Sequence, residues 1–242
     1  MRRAAVVARD PVAARVMSAA EGYDLAASSY DEWPWSRFWD RVETPLVREW
    51  LVAQPRGEVV DLGCGSGRYR RLIQDLGNSY TGVDISKKML AENRAKHRDV
   101  IATRTAVLVA ADVRHTTLAS GAAHSIVCTR VLSHIAEPRD LFAEICRLLI
   151  PGGECFLSDI DPSHAYEYTH MPTPHGDIAI ETYKHSWPAL AKAISDTSRL
   201  TVLRREVHTP QSLHPGATPL KLPNGRAAAR RPLLDVCVLK CV

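Results

Sequence analysis

Between Val59 and Gly67 the chain reads Val-Val-Asp-Leu-Gly-Cys-Gly-Ser-Gly, a short apolar run that breaks into three alternate glycines. Tyr69, Leu72, Ile73 and Leu76 then recur at helical spacing. A strand therefore meets a helix through a turn that needs glycine. Glycine serves where the backbone bends sharply or a ligand must approach it closely. In an open parallel sheet such a turn lies at the carboxyl ends of the strands, where ligands bind.

The rest of the chain repeats the strand-helix alternation. Strand-like runs fall at Glu58–Asp61, Tyr80–Val83, Thr105–Ala110, Ser125–Thr129 and Glu154–Leu157, with helical spacing between them. Ser86 and Pro138 mark helix starts, and Pro151-Gly152-Gly153 marks a stop. This predicts βαβ units and a mostly parallel α/β sheet buried on both faces. Ser186 and Pro188 start a further helix. Two late runs, Leu200–Val207 and Leu233–Val242, have no helix between them and predict an antiparallel pair that finishes the sheet. The Pro/Gly-rich stretch from Thr209 to Asn224 predicts a surface loop.

The 242 residues suffice for one such core with a small cap. Residues 1–16 predict a flexible leader, with Met17 as an alternative start. Residues 17–56 predict an N-terminal helical lid: a short element over Tyr23–Asp31, then a helix over Trp35–Leu51. Residues 57–242 form the core, with 160–186 facing the substrate. No apolar run approaches the ~18–20 residues that span a bilayer, so no membrane partner is expected. The six cysteines form no C-x-x-C pair and predict buried thiols of a reduced, cytoplasmic protein.

The glycine turn limits the ligand. The spacing is G-x-G-x-G, with Arg68 where the dinucleotide fingerprint needs glycine, and no G-x-x-x-x-G-K-[ST] loop is present. Asp61 beside the turn repels a pyrophosphate and attracts an ammonium or sulfonium. Asp84 ends the next strand and can accept both hydroxyls of a ribose. Asp112, after the third, can accept from an adenine amino group. One sheet edge thus offers places for a cation, a ribose and an adenine.

These segments resemble a class I S-adenosylmethionine-dependent methyltransferase of the small-molecule type. The matching pieces are Val60–Gly67, Gly82–Leu90, Ala111-Asp112-Val113, Val131–Ile135 and Arg147–Gly153, over two-fifths of the chain in the family's order. The resemblance implies a Rossmann-like seven-stranded sheet, its last strand antiparallel, with helices on both faces and an N-terminal lid. It implies S-adenosylmethionine as cofactor and S-adenosylhomocysteine as product. Asp61 and the loop of Gly63, Cys64, Gly65 and Gly67 would hold the methionine part, and Asp84 the ribose. Ala111, Asp112 and Val113 would frame the adenine, with Ile85 and Met89 pressing on the adenine or ribose faces. The Arg130 backbone would meet the amino-acid end, and Tyr23 or Tyr30 would close over the sulfonium. The chain departs from the family at His124-Ser125, where an acidic residue is common, and in the loop from Arg114 to Ala123.

Transfer from a sulfonium needs alignment and exclusion of water, and a base only when the nucleophile must lose a proton. Histidine is the natural base near neutral pH. His134 follows the fourth strand. His170 and His175 lie in a stretch rich in polar rings after the fifth, and Asp159 ends that strand. The acceptor is expected to be a small molecule. Trp33, Trp35 and Trp39 fit a core and pocket wall, and no dense basic stripe points to nucleic acid; Arg226, Arg230 and Arg231 fit a solvated loop. The His and Cys spacing fits no common zinc pattern, so no metal is expected; a magnesium-dependent catechol site would rest on Asp159 and Asp161. A monomer or homodimer is expected. Arginine outnumbers lysine 24 to 7, the bias of a GC-rich genome, which places the reaction in bacterial secondary metabolism. The alternative is a non-methylating enzyme that keeps S-adenosylmethionine while catalysing a cyclisation or rearrangement.

Overall fold

The structure, a computed structural model, describes residues 16–98, 106–164, 166–197, 199–213 and 232–242. Its main sheet contains β2 (Glu58–Leu62), β3 (Ser79–Asp84), β4 (Ala106–Ala110), β5 (Ala123–Thr129), β6 (Leu149–Ile160), β9 (Leu200–His208) and β10 (Leu234–Cys241). The strand order is β4-β3-β2-β5-β6-β10-β9. The first five pair in parallel, and β10 runs antiparallel to both β6 and β9. The expected Rossmann-like sheet, with its last strand reversed, is thus the one observed.

The helices follow the expected signals. In α4 (Lys87–Lys96) the Ser86 hydroxyl accepts from the Met89 amide at 3.1 Å. The α5 helix (Arg139–Leu148) starts from Pro138 and buries Leu141, Phe142, Ile145 and Leu148. Together with α6 (Trp187–Ser195) it covers one face of the sheet. The other face packs on α2 (Pro34–Val52) and α3 (Arg70–Asp75) through Phe38, Trp39, Val47, Leu72 and Ile73. All six cysteines are free and buried, as expected.

The chain steps outward from β2 to β3 and β4, then returns to β5 on the other side of β2. This reversal opens a crevice at the carboxyl ends of β2 and β5, the place where open α/β sheets bind ligands.

A second sheet was not foreseen. The 160–186 segment, expected only as a polar wall, folds into a hairpin of β7 (Tyr168–Thr173) and β8 (Gly176–Glu181). The short β1 (Val16–Met17) adds to β8 in parallel. Met171, Ile178 and Ile180 turn inward against Met17 and Ala26, so an apolar alternation lies hidden among the polar rings. Helix α1 (Ala19–Ala26) lies close over this sheet: a Cβ on Gly22 would stand 2.4 Å from Ile180. The N-terminal segment expected to form a lid therefore rests on a small sheet made partly from β7 and β8. Val16, assigned to the leader, lies in β1. Residues 1–15 fall outside the described residues, as do Thr105, Arg226, Arg230, Arg231 and the part of the expected loop beyond Leu213; Pro210–Leu213 forms a helical turn, α7.

Where the sequence departs from the family, local contacts replace the usual ones. The His124 ring accepts from the Glu58 amide at 3.2 Å. The Arg114–Ala123 loop is held by Glu144, which accepts from the Thr116 amide at 2.8 Å and hydroxyl at 2.6 Å.

Candidate functional site

The turn after β2 is built on its glycines. Gly63 has φ +74°, and a Cβ there would stand 2.3 Å from a Val131 methyl, so only glycine fits between β2 and the segment after β5. The Gly63 and Cys64 amides donate to the Val83 carbonyl at 2.8 and 3.0 Å, and the Gly65 amide donates to an Asp84 oxygen at 2.8 Å. The other Asp84 oxygen accepts from the Ser86 amide at 2.8 Å. Asp84 thus ties the glycine turn to the end of β3 while it lines the same cavity.

That cavity, about 150 Å³, is bounded by the turn, by Asp61, Asp84, Ile85, Met89, Asp112 and Val113, and by Tyr23 and Tyr30 from the lid. Arg130, Val131 and His134 close it from the β5 side. Of the residues expected to hold the cofactor, all but Gly67 and Ala111 line it. These two stand just outside: Gly67 packs on Asn93, and the Ala111 amide donates to the Asp84 carbonyl at 3.1 Å.

The cavity's acids are not alike. Burial raises Asp61 to about 7, with the Tyr80 hydroxyl, 3.3 Å away, pulling it down and Asp84 pushing it up. Burial raises Asp84 to about 6 against the opposing pull of its backbone donors. Asp112 is held below the usual range by the Arg114 guanidinium, which donates to both its oxygens at 2.6–3.2 Å. Neither of the two deeper carboxylates forms an ion pair among the described residues, though Arg68 and Arg130 also pull Asp61 down from a distance, while Asp112 has a paired guanidinium.

Arg130 sits at φ +54°. Burial works against its charge, but the buried Glu43 carboxylate hydrogen-bonds its guanidinium and keeps it firmly protonated. Glu43 also accepts from the Ser158 hydroxyl at 2.7 Å and the Tyr69 hydroxyl at 2.8 Å, and the Arg130 guanidinium lies 5.4 Å from the centre of a Trp39 ring.

His134 stands in the turn after β5. Its Nδ1 lies 3.1 Å from the Glu181 carbonyl, and its Nε2 lies 2.9 Å from the Tyr23 hydroxyl. A carbonyl can only accept, so Nδ1 carries the proton and Nε2 accepts from the Tyr23 hydroxyl. Burial pushes His134 down to about 4; the Glu181 carbonyl raises it and Arg130 lowers it further. It is neutral at pH 7. Burial also pushes the Tyr23 phenol up, with Tyr30 adding to the rise.

A second cavity, about 260 Å³, shares Tyr23, Tyr30, Arg130 and His134 with the first. Its other walls include Trp33, Trp35, Trp39, Tyr166, Tyr168 and His170. The structure thus brings His134 and His170 to one space. His175 is exposed at the β7–β8 turn, where its amide donates to the Thr173 hydroxyl at 3.2 Å, and it lines neither cavity. Asp159 faces a separate pocket of about 40 Å³. Its oxygens accept from the Ser133 and Ile160 amides, each at 2.7 Å. It thereby braces the turn that carries His134.

Sequence reasoning missed three groups. Glu43 looks like any helical acid, though it lies on the inward stripe with Trp39, Val42 and Val47. Arg114 stands two residues after Asp112, the spacing of a carboxylate clamped by its own loop. Asp24 and Asp31 join the lid to the core: Asp24 accepts from the Ser86 hydroxyl at 2.6 Å, and Asp31 from the Ser66 hydroxyl at 2.6 Å and Lys96 at 2.9 Å. No group of three or more metal-ligating side chains occurs among the described residues.

Comparison with known proteins points the same way. Residues 60–157 match a family model described as a methyltransferase domain. A ubiquinone biosynthesis O-methyltransferase of Pseudomonas aeruginosa is 28% identical over 142 residues, covering 52% of this chain; the chain spans 58% of that relative's length. Among solved structures, magnesium protoporphyrin IX methyltransferase from Synechocystis, with S-adenosylhomocysteine bound, superposes with a TM-score of 0.61 at 17% identity, covering 92% of this chain and 98% of that one. The [4+2]-cyclase SpnF gives 0.66 at 17% identity, covering 92% and 95%. At these identities the two structures establish the shared fold.

Proposed function

We propose, for a chain that carries a class I S-adenosylmethionine-dependent methyltransferase domain, that it transfers a methyl group from S-adenosylmethionine to a small-molecule acceptor. The observation that carries this is the junction of the two cavities. One is walled by Asp61, Asp84 and Asp112, the other by aromatic rings, and both meet at Tyr23, Tyr30, Arg130 and His134.

The residues of the first cavity fit the cofactor. Asp61 and Asp84 are buried acids in no ion pair among the described residues, suited to the donor's positive charge and to its ribose hydroxyls. Asp112 and Val113 line the same cavity and suit an adenine, and Met89 and Ile85 offer apolar faces. When bound, S-adenosylmethionine supplies an activated methyl group on a sulfonium. The chain's own part is to align and to exclude water. Tyr23 and Tyr30 cover the junction from the lid. Trp33, Trp35 and Trp39 offer flat apolar walls to an acceptor.

Tyr23 and His134 offer a route for a proton. The Tyr23 hydroxyl gives its own hydrogen to His134 Nε2, so its oxygen is free to accept one from an acceptor's hydroxyl. His170 is the second candidate base, from the far wall. The second cavity, about 260 Å³ with aromatic walls, suits a small-molecule acceptor. The six free, buried cysteines support a cytoplasmic setting, and the arginine-rich composition supports bacterial secondary metabolism.

The test is binding followed by transfer. Calorimetry with S-adenosylhomocysteine should show saturable binding. Incubation with methyl-labelled donor and a panel of small acceptors should then move label into product. Product formed without label would sink methyl transfer in favour of the cyclisation or rearrangement reading.

A further inference from the structure

We infer that the acceptor is a planar aromatic compound with a phenolic hydroxyl, uncharged rather than cationic, held in the second cavity with that hydroxyl at Tyr23. This rests on the methyl-transfer reading above and names the acceptor's class within it.

The wall of the second cavity is made largely of rings. Trp35 and Trp39 stand in the first turns of α2 with Trp33 just before it, and Tyr168 and His170 belong to β7. The Trp35 and Trp39 rings are stacked, with centres 6.0 Å apart and planes at 26°. Each holds the other in place, so flat surfaces stand ready and little order is lost when a ligand meets them. Such surfaces favour a flat ring over a saturated one, because ring pairs gain more than the area they bury.

Aromatic walls can also attract cations, and the charges decide against that here. No carboxylate stands among the described residues that line this cavity. The protein's own cations already meet two of its rings: the Arg130 guanidinium at Trp39, and Lys184 Nζ 5.3 Å from the centre of Tyr166. Glu43 neutralises Arg130 but does not line the cavity. A cationic acceptor would meet these groups, and the donor's sulfonium at the junction, with no acid to offset it. The first cavity, with Asp61, Asp84 and Asp112, has the opposite character.

The hydroxyl follows from the proton route. The Tyr23 hydroxyl lies 2.9 Å from His134 Nε2, where the two cavities meet. The oxygen–methyl bond forms as the methyl–sulfur bond breaks, and that bond's electron pair stays on sulfur. The acceptor's proton passes to the Tyr23 oxygen while the Tyr23 hydrogen moves to His134 Nε2. The positive charge of the sulfonium thus ends on the imidazolium, whose Nδ1 hydrogen keeps its bond to the Glu181 carbonyl. Burial pushes His134 down to about 4, so it is a weak base. It suits a phenol, with an ordinary value of about 10, far better than an aliphatic alcohol, as weak an acid as water at about 16.

The experiment is calorimetry with S-adenosylhomocysteine at saturation, so that the first cavity is filled and turnover plays no part. The probes share one fused-ring frame: naphthol, the cationic naphthylmethylamine and the saturated decalol. At neutral pH naphthol should bind at least about tenfold more tightly than either of the others. Trp35→Leu should remove most of the preference over decalol and leave S-adenosylhomocysteine affinity within about twofold. Tyr168→Leu, at a position 38% exposed, should lower that preference too, and it decides should the Trp35 variant fail to fold. Tyr23→Phe should weaken naphthol about fivefold, the loss of one hydrogen bond, and leave naphthylmethylamine within about twofold. Equal weakening of both, or of neither, overturns the place of the hydroxyl at Tyr23. A preference unmoved in the ring variants puts the probes outside the second cavity and overturns the inference. So does protein that takes up S-adenosylhomocysteine but binds no probe, or binds the cationic or saturated one as tightly as naphthol; the cofactor reading then stands. Protein that does not bind S-adenosylhomocysteine overturns both.

Discussion

Arg130 carries a side chain at φ +54°, a conformation that costs an ordinary residue about 1–3 kcal/mol. It persists because its surroundings over-determine it. The amide donates to the Ser158 carbonyl at 2.7 Å, Trp39 lies against the guanidinium, and Glu43 neutralises it. The strained backbone and the buried pair together shape the wall between the two cavities. Glu43→Gln removes the charge partner and leaves a buried cation. Breaking a buried pair in this way costs about 3–5 kcal/mol, and urea unfolding should show the loss as a lowered midpoint at unchanged slope. At His134 the expected signature differs. His134→Gln keeps a polar group near Tyr23 but removes the imidazole. Turnover should fall by at least about tenfold while S-adenosylhomocysteine affinity stays within about threefold. Equal loss of both would reduce His134 to a structural role.

The N-terminal segment, proposed as a lid, is held in place by separate latches, two of which join it to segments that also shape the proposed cofactor cavity. Asp24 caps the segment after β3 through Ser86 and the Lys88 amide, at 2.6 and 3.2 Å. Asp31 holds the glycine turn through Ser66. The Ser29 hydroxyl donates to the Pro172 carbonyl of β7 at 2.8 Å, joining the lid to the small sheet. A lid so tied must release these bonds for ligand to exchange. Asp24→Ala should therefore speed S-adenosylhomocysteine release by about fivefold, the worth of one such bond at roughly 1 kcal/mol. Stopped-flow displacement measures this, and an unchanged rate would mean that α1 does not gate exit. The glycine turn and its acids were legible because they are local: Asp84 and Asp112 each end a strand in a fixed order. The latches and the Arg130 pair were not, because they join residues scores of positions apart, and only tertiary packing brings Asp31 to Ser66 or Glu43 to Arg130. The β7–β8 hairpin escaped for a different reason. Its apolar alternation is confined to a few positions, Met171, Ile178 and Ile180, among Tyr168, His170 and His175, so the polar rings dominated the pattern.

For the molecule as a whole, three buried acids, two in the crevice and Asp159 in the separate pocket, store unfavourable ionisation. Asp61, Asp84 and Asp159 are raised by burial to about 7, 6 and 6, from an ordinary value near 3.8. Between pH 4 and 7 the folded protein therefore binds more protons than the unfolded chain at these sites, and stability falls as pH rises through that window. His134 acts in the opposite sense. Lowered to about 4 from 6.5, it binds fewer protons when folded, so its contribution rises with pH over about 4 to 6.5. Burial lowers His97 and His164 as well, so three lowered imidazoles oppose the three raised acids, and the thermal stability of ligand-free protein should change little between pH 5 and 7. Donor binding acts on the acids. A cation placed beside Asp61 and Asp84 favours their ionised forms, so binding should release protons near pH 6 and tighten as pH rises. Calorimetry at pH 6 in two buffers of different ionisation enthalpy would show the proton release directly. Proton uptake on binding would mean that the acids at the crevice meet the ligand in their neutral form, and the charge match proposed between Asp61 and the donor would fail.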